Sequence, residues 1–288
     1  MRNKSADKFW RSAVLYSLFV WLGVMVIVPN LLVLLASFLS ADEKYFLSLP
    51  LTVQNYALLK DPVLLKIILK SINIAVLTTV FCLVVGYPFA YCIAKAPQRW
   101  RPVLLILVII PFWTNSLIRN YALISLLSAK GFLNALLLKT GLISEPLQIL
   151  YTNQAVFIGM AYTLLPFMIL PVFASLEKID KTLLEAARDL GAGSCATFFR
   201  IVVPLSFPGI IAGCIMVLLP ALSLFYVSDI LGGADSVVVG SIIRNKFMIA
   251  RDWPVGSAIS IALTVLMLVL LKAYYKSGNT EDEERTLW

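Results

Sequence analysis

Six apolar stretches, each long enough to cross a bilayer as a helix, leave this chain few folds to choose from. They lie near 13–39, 71–94, 102–124, 154–175, 208–229 and 255–271. Crossing about 30 Å of hydrocarbon takes roughly 20 apolar residues in a helix. A segment in lipid must satisfy its own backbone donors and acceptors, which an α-helix does internally. Composition agrees, with 60% of the 288 residues hydrophobic and 14% charged, against about 45–50% apolar residues in soluble domains. The reading is an all-α membrane protein of six transmembrane helices: an arm at 1–12, a membrane domain at 13–271 and a tail at 272–288.

Met1 to Arg11 carries four cations ahead of the first apolar run, the opening of a secretory signal. The run is 27 residues long, with no small-x-small site after Ser40. A signal core spans about 7–15 residues, so the run reads as a membrane helix. Cys82, Cys92, Cys195 and Cys214 lie in or beside apolar segments without metal-ligand spacing, and histidine is absent. Neither a disulfide framework nor a metal site is expected.

Lys and Arg set the orientation. With the N-terminus in the cytoplasm, the inner segments 1–12, 95–101, 176–207 and 272–288 hold 14 cations over 68 residues. The outer segments 40–70, 119–153 and 230–253 hold ten over 90. Both termini are therefore expected inside. The net charge of +8 reads as topology, because no basic stripe interleaves with exposed aromatics as a nucleic-acid surface would.

Five of the six spans contain proline: Pro29, Pro88, Pro111, Pro166, Pro171 and Pro220. Each removes a helix donor and favours a kink. The kinks fit either ordinary bundle geometry or a pathway lined by freed carbonyls. Gly86, Gly159, Gly209 and Gly213 suit close helix approach. Gly131 to Ile143 is patterned as a short surface helix, and Arg244, Lys246, Arg251 and Asp252 make a charged outer loop.

The segment between the fourth and fifth spans is unlike the rest. Asp180 is placed to cap a helix from Lys181 to Leu190, and Gly191 suits the left-handed residue that ends it. Ser194 is placed to cap a second short helix, closed by Pro204 and Pro208. Ala186 and Ala187 let a partner groove reach the backbone, while Glu185 and Asp189 supply anionic contacts. An amphipathic linker resting on lipid through Leu183, Leu184 and Leu190 is the other reading.

Glu185-Ala186-Ala187, Gly191, Ile201 and Pro204 resemble the coupling motif of bacterial ABC importer permeases, with Val203 where leucine is usual. Pro111 to Arg119, Phe225 to Asp229 and Arg251 to Pro254 look like the B-type permeases of spermidine/putrescine importers. The resemblance implies a type I, MetI-like permease fold in the bacterial inner membrane. It also implies a second permease subunit of different sequence, a dimer of ATP-binding subunits and a periplasmic polyamine-binding protein. ATP and Mg would sit on the partner ATPase, for no P-loop occurs here. No catalytic residue and no cofactor of the chain's own are expected.

A polyamine asks for carboxylates, carbonyl oxygens and aromatic faces. Tyr226 and Asp229 stand three apart at the outer end of the fifth span and share a helix face. Trp113 and Asn115 follow Pro111 in the third span, and Arg119 is the nearest cation to latch Asp229. Tyr and Trp there also suit interfacial anchoring. Permeases for other small organic amines or for phosphonates remain open. A secondary transporter fits less well, because the spans carry almost no central charge.

Overall fold

The computed structural model describes residues 4–41 and 47–285. Its helices are α1 (Lys4–Ser37), α2 (Pro62–Lys95), α3 (Arg101–Trp113), α4 (Ser116–Leu127), α5 (Phe132–Lys139), α6 (Asn153–Glu177) and α7 (Lys181–Asp189). They continue as α8 (Ser194–Thr197), α9 (Val203–Leu205), α10 (Phe207–Ser223), α11 (Phe225–Leu231), α12 (Val239–Met248) and α13 (Trp253–Arg285). A π-helical turn at Phe198–Val202 joins α8 to α9. Among the described residues, five helical stretches are long and apolar enough to cross a membrane, or six with the bent pair Ser194–Leu205 and Phe207–Ser223 as one.

The chain forms two units. One comprises residues 1–64 and 243–266. In it α1 exposes nearly all its apolar side chains from Val14 to Leu35, Phe19 and Trp21 included, a surface suited to lipid. Its end is pinned by Asn55, whose amide donates to the carbonyls of Ser37 and Leu39 at 2.8 Å each. In the same unit Lys246 pairs with Asp252 at 3.2 Å.

The other unit comprises residues 65–242 and 267–288, and α6 is its axis. Val156, Met160, Leu164, Met168 and Val172 along α6 are fully or almost fully buried. Lipid is as apolar as these side chains, so their association depends on close van der Waals packing at small residues. Gly213 of α10 lies where a Cβ would come within 2.7 Å of Met168 Sδ, and Gly209 where one would come within 2.6 Å of the Pro171 carbonyl. On α6 itself, Gly159 leaves room for Val227 and Leu231 of α11, which a Cβ would strike. That glycine therefore sets how closely α11 approaches the axis.

Two expected spans are broken. The third, expected over 102–124, divides into α3 and α4, because Asn115 caps α4 by accepting the Leu117 N–H at 2.8 Å. Thr114 Oγ1 donates to the Pro111 carbonyl at 2.7 Å. The 13 residues of α3 reach only about 20 Å at 1.5 Å per residue, less than a full crossing. The fifth span, expected over 208–229, divides at Leu224, four residues after Pro220. The short helix expected within 131–143 is present as α5, in a stretch Ser116–Lys139 that is itself long and apolar enough to cross a membrane, and Gly141 stands at φ +71° just after it.

Candidate functional site

Two regions bring the singled-out residues together. In the polar loop, the Asp180 carboxylate accepts the Thr182 N–H at 2.9 Å and starts α7. That backbone bond, joined by the Thr182 hydroxyl, holds the Asp180 carboxyl below the usual carboxylate range. A depressed folded-state pKa adds stability that is present above the ordinary carboxylate value and lost as pH falls through the depressed one. Asp180→Ala should fray α7 at neutral pH, and Asp180→Ser should restore it. Wild type should show the same fraying only in acid below the usual carboxylate range. Amide hydrogen exchange over residues 181–189 reads this out, and equal protection in Asp180→Ala would remove the cap's role.

The far end of α7 is a Schellman closure. Ala192 N–H donates to the Ala187 carbonyl and Gly191 N–H to the Arg188 carbonyl, both at 2.9 Å. Gly191 stands at φ +79°, with open space around it. α7 ends at Asp189, one residue before the expected limit. Glu185, Ala186 and Asp189 are exposed, as is Leu190, whereas Ala187 is only 7% exposed and packs inward. Ser194 is not a cap; it is the first residue of α8, and Gly193 occupies the cap position without a side-chain bond.

One stripe of α7, formed by Lys181, Leu184, Glu185 and Arg188, lines a cavity of about 550 Å³ with the ends of α2, α3 and α6. Arg101 ties the rim by pairing with Glu177 at 3.3 Å and donating to the Ala96 carbonyl at 3.0 Å. Past α8, the Phe198 ring meets Tyr91 and Tyr87 of α2 edge-on, at 5.1 and 5.8 Å. The hydroxyls of Tyr87 and Ser206 lie 2.9 Å apart, and after Ser206 the chain bends by 63° into α10. The loop thus exposes α7, is fastened at its far end to α2 and runs on through the bend into α10.

The second region lies where α3, α4, α6 and α11 meet. The Arg119 guanidinium sits 4.9 Å from the Phe112 ring centre and 6.0 Å from that of Tyr162. The Tyr226 hydroxyl interacts with the Ser116 side chain and with the Arg119 charge. Asp229, exposed on α11, accepts among its contacts a bond from Ser241 Oγ at 2.8 Å. Asn115 uses its side-chain oxygen to cap α4, and that oxygen serves a ligand only where the cap is shared. Trp113 is 81% exposed and borders an apolar groove with Phe112, Pro166, Phe167 and Leu170.

Sequence reasoning passed over Phe112, Tyr162, Ser116 and Ser241. Phe112 and Ser116 stand within the Pro111 to Arg119 stretch, but nothing local sets Tyr162 apart from any other interfacial aromatic. No group of three or more potential metal ligands occurs among the described residues.

Helices long and apolar enough to span a membrane, with a polar, capped segment between two of them, define a multi-span membrane protein. The chain belongs to the family of binding-protein-dependent transport system inner membrane components, whose pattern it matches over residues 83–275. More particularly, it is 49% identical over 275 residues to the spermidine/putrescine transport system permease protein PotB of Salmonella typhimurium strain SL1344, covering 96% of each chain. To PotB of Escherichia coli K12 it is 51% identical over 258 residues, 90% of this chain and 94% of that one.

Among solved structures, the fold is similar to a chain of a bacterial ABC transporter that imports the acidic polysaccharide alginate. The TM-score is 0.77 at 16% identity, covering 96% of this chain and 99% of that one. A chain of the MetNI methionine ABC transporter, seen inward-facing, gives 0.60 at 16% identity, covering 77% and 98%. The expected MetI-like permease fold is therefore the observed one, and the protein is an ABC importer permease of the inner membrane.

Proposed function

We propose that this chain is one half of the pore of an ATP-driven importer of polyamines, spermidine and putrescine, and that loop 176–207 couples the pore to a dimer of ATP-binding subunits. The observation that carries the cargo is the identity of about half the residues with PotB proteins over nine-tenths or more of the chain. The coupling rests on α7, capped at both ends, with Glu185, Ala186, Asp189 and Gly191 exposed. A helix presenting small and acidic residues suits insertion into a partner's groove.

The complex would hold this chain, a second permease of different sequence, two ATPases carrying ATP and Mg, and a periplasmic polyamine-binding protein. Both termini would lie in the cytoplasm. ATP draws the two ATPases together, the docked levers follow, and the loop, fastened to α2 and running on into α10, passes that motion to the pore, which opens outward. This chain performs no chemistry. Tyr226 and Asp229 meet the cargo's ammonium groups, with Trp113 and Asn115 beside them. Asp229 exchanges between resident partners and substrate, and Arg119 takes it up at another step of the cycle.

Proteoliposomes containing all four components should accumulate labelled spermidine only with ATP inside and binding protein outside. Uptake by this chain without ATPase, or ATP-driven import of amines other than polyamines alone, would overturn the proposal.

A further inference from the structure

Arg119 is oddly housed. Its Nε is buried and has no hydrogen-bond partner, on a helix whose neighbours at that point are aromatic. Phe112 comes from α3 and Tyr162 from α6, so two separate elements bring rings to one guanidinium on a third, and the Tyr226 hydroxyl of α11 stands within reach of its charge. The Phe112 ring is steadied from behind by Phe167, edge-on at 5.0 Å. A cation in apolar surroundings is costly unless its charge is met. Ring faces within about 6 Å do so in part, and they accept any cation that fits.

We infer that Phe112 and Tyr162 form an ammonium-binding subsite beside the Tyr226 hydroxyl, and that Arg119 is its tethered occupant, displaced by one ammonium group of the cargo during transport. The inference rests on the polyamine reading above and adds two residues, Phe112 and Tyr162, together with a task for Arg119. A guanidinium is more weakly hydrated than an ammonium and carries its charge over a plane, so it fills the rings without the hydrogen bonds that a tight ion pair demands. Its bond-free Nε is what a displaceable occupant requires.

The chain has a place for the movement. Phe112 and Arg119 lie on opposite sides of the break at Thr114 and Asn115, where the helix ladder gives way to two side-chain bonds. Turning α4 about that break carries Arg119 off the Phe112 ring while both helices stay intact. With Arg119 seated the subsite is closed to cations; with Arg119 withdrawn it is open. The resting pore thus carries its own competitor for cargo.

The test is equilibrium dialysis of labelled spermidine against the purified, assembled complex without its binding protein. Arg119→Met should bind at least tenfold more tightly than wild type, whereas Arg119→Lys should stay near wild type. Adding Tyr162→Leu to Arg119→Met should return binding to the wild-type level, which a purely structural arginine would not predict. Arg119→Gln replaces Arg119→Met if the latter fails to assemble, and Phe112→Leu beside either is the second ring test. Unchanged binding on removing Arg119, or a gain indifferent to both rings, overturns the inference. Butylammonium, used as a second probe, separates the two readings. Ring-dependent binding of it by Arg119→Met, alongside no spermidine import by wild type, keeps the subsite and removes the polyamine assignment.

Discussion

Gly191→Val is expected to uncouple the importer, with retention of the ATP-binding subunits through purification falling about tenfold or more and uptake falling with it. The reason is conformational. At φ +79° an L-residue is strained by roughly 1–2 kcal/mol, and a β-branched residue is more strained still. Nothing lies within 4 Å of the position a Cβ would take, so no clash contributes. The strain is relieved by opening the two bonds that close the helix, from Gly191 to Arg188 and from Ala192 to Ala187. A nine-residue helix has little stability of its own to absorb that loss. Asparagine tolerates the left-handed region, so Gly191→Asn should retain ATPase within two- or threefold of wild type. If alanine and asparagine fail as badly as valine, Gly191 serves a partner that needs the bare backbone, and the capping argument is wrong.

Asp229→Asn should lower spermidine uptake at least tenfold while leaving assembly intact. Asparagine keeps the size of the side chain and an oxygen for the Ser241 hydroxyl, which now bonds Asp229 at 2.8 Å. What it removes is the charge. A carboxylate and an ammonium 4 Å apart attract by about 4 kcal/mol at an effective dielectric of about 20. Desolvation cancels much of this, and each 1.4 kcal/mol that survives is about tenfold in binding. Asp229→Glu should recover part of the uptake, and Ser241→Ala should cost less than Asp229→Asn because it leaves the charge in place. Normal uptake by a correctly assembled Asp229→Asn complex would remove Asp229 from the pathway.

Much of the lever was legible because its determinants are local. Asp180 bonds two residues ahead and Gly191 closes a turn of six, so residue type and short spacing give both ends of α7. The cap at Ser194 was misplaced because Gly193 takes the position without a side-chain bond. The break at Asn115 is also local, but an apolar stretch judged as a whole hides one polar residue that a helix start would have revealed.

Residue order alone makes the chain a helical membrane protein, places its spans roughly and marks out one polar loop. Those properties follow from the length of apolar runs and from bonds between near neighbours. Folding in three dimensions turns Ala187 inward, puts Glu185 at the edge of a cavity and brings Phe112 and Tyr162 to the Arg119 guanidinium. Phe112 and Tyr162 are 50 positions apart. Their rings reach one guanidinium across the break after Trp113, while Gly159 lets α11 lie close against α6. In lipid, where every apolar face is equally content, such steric fits choose which side chains meet, and no periodicity in the sequence records them.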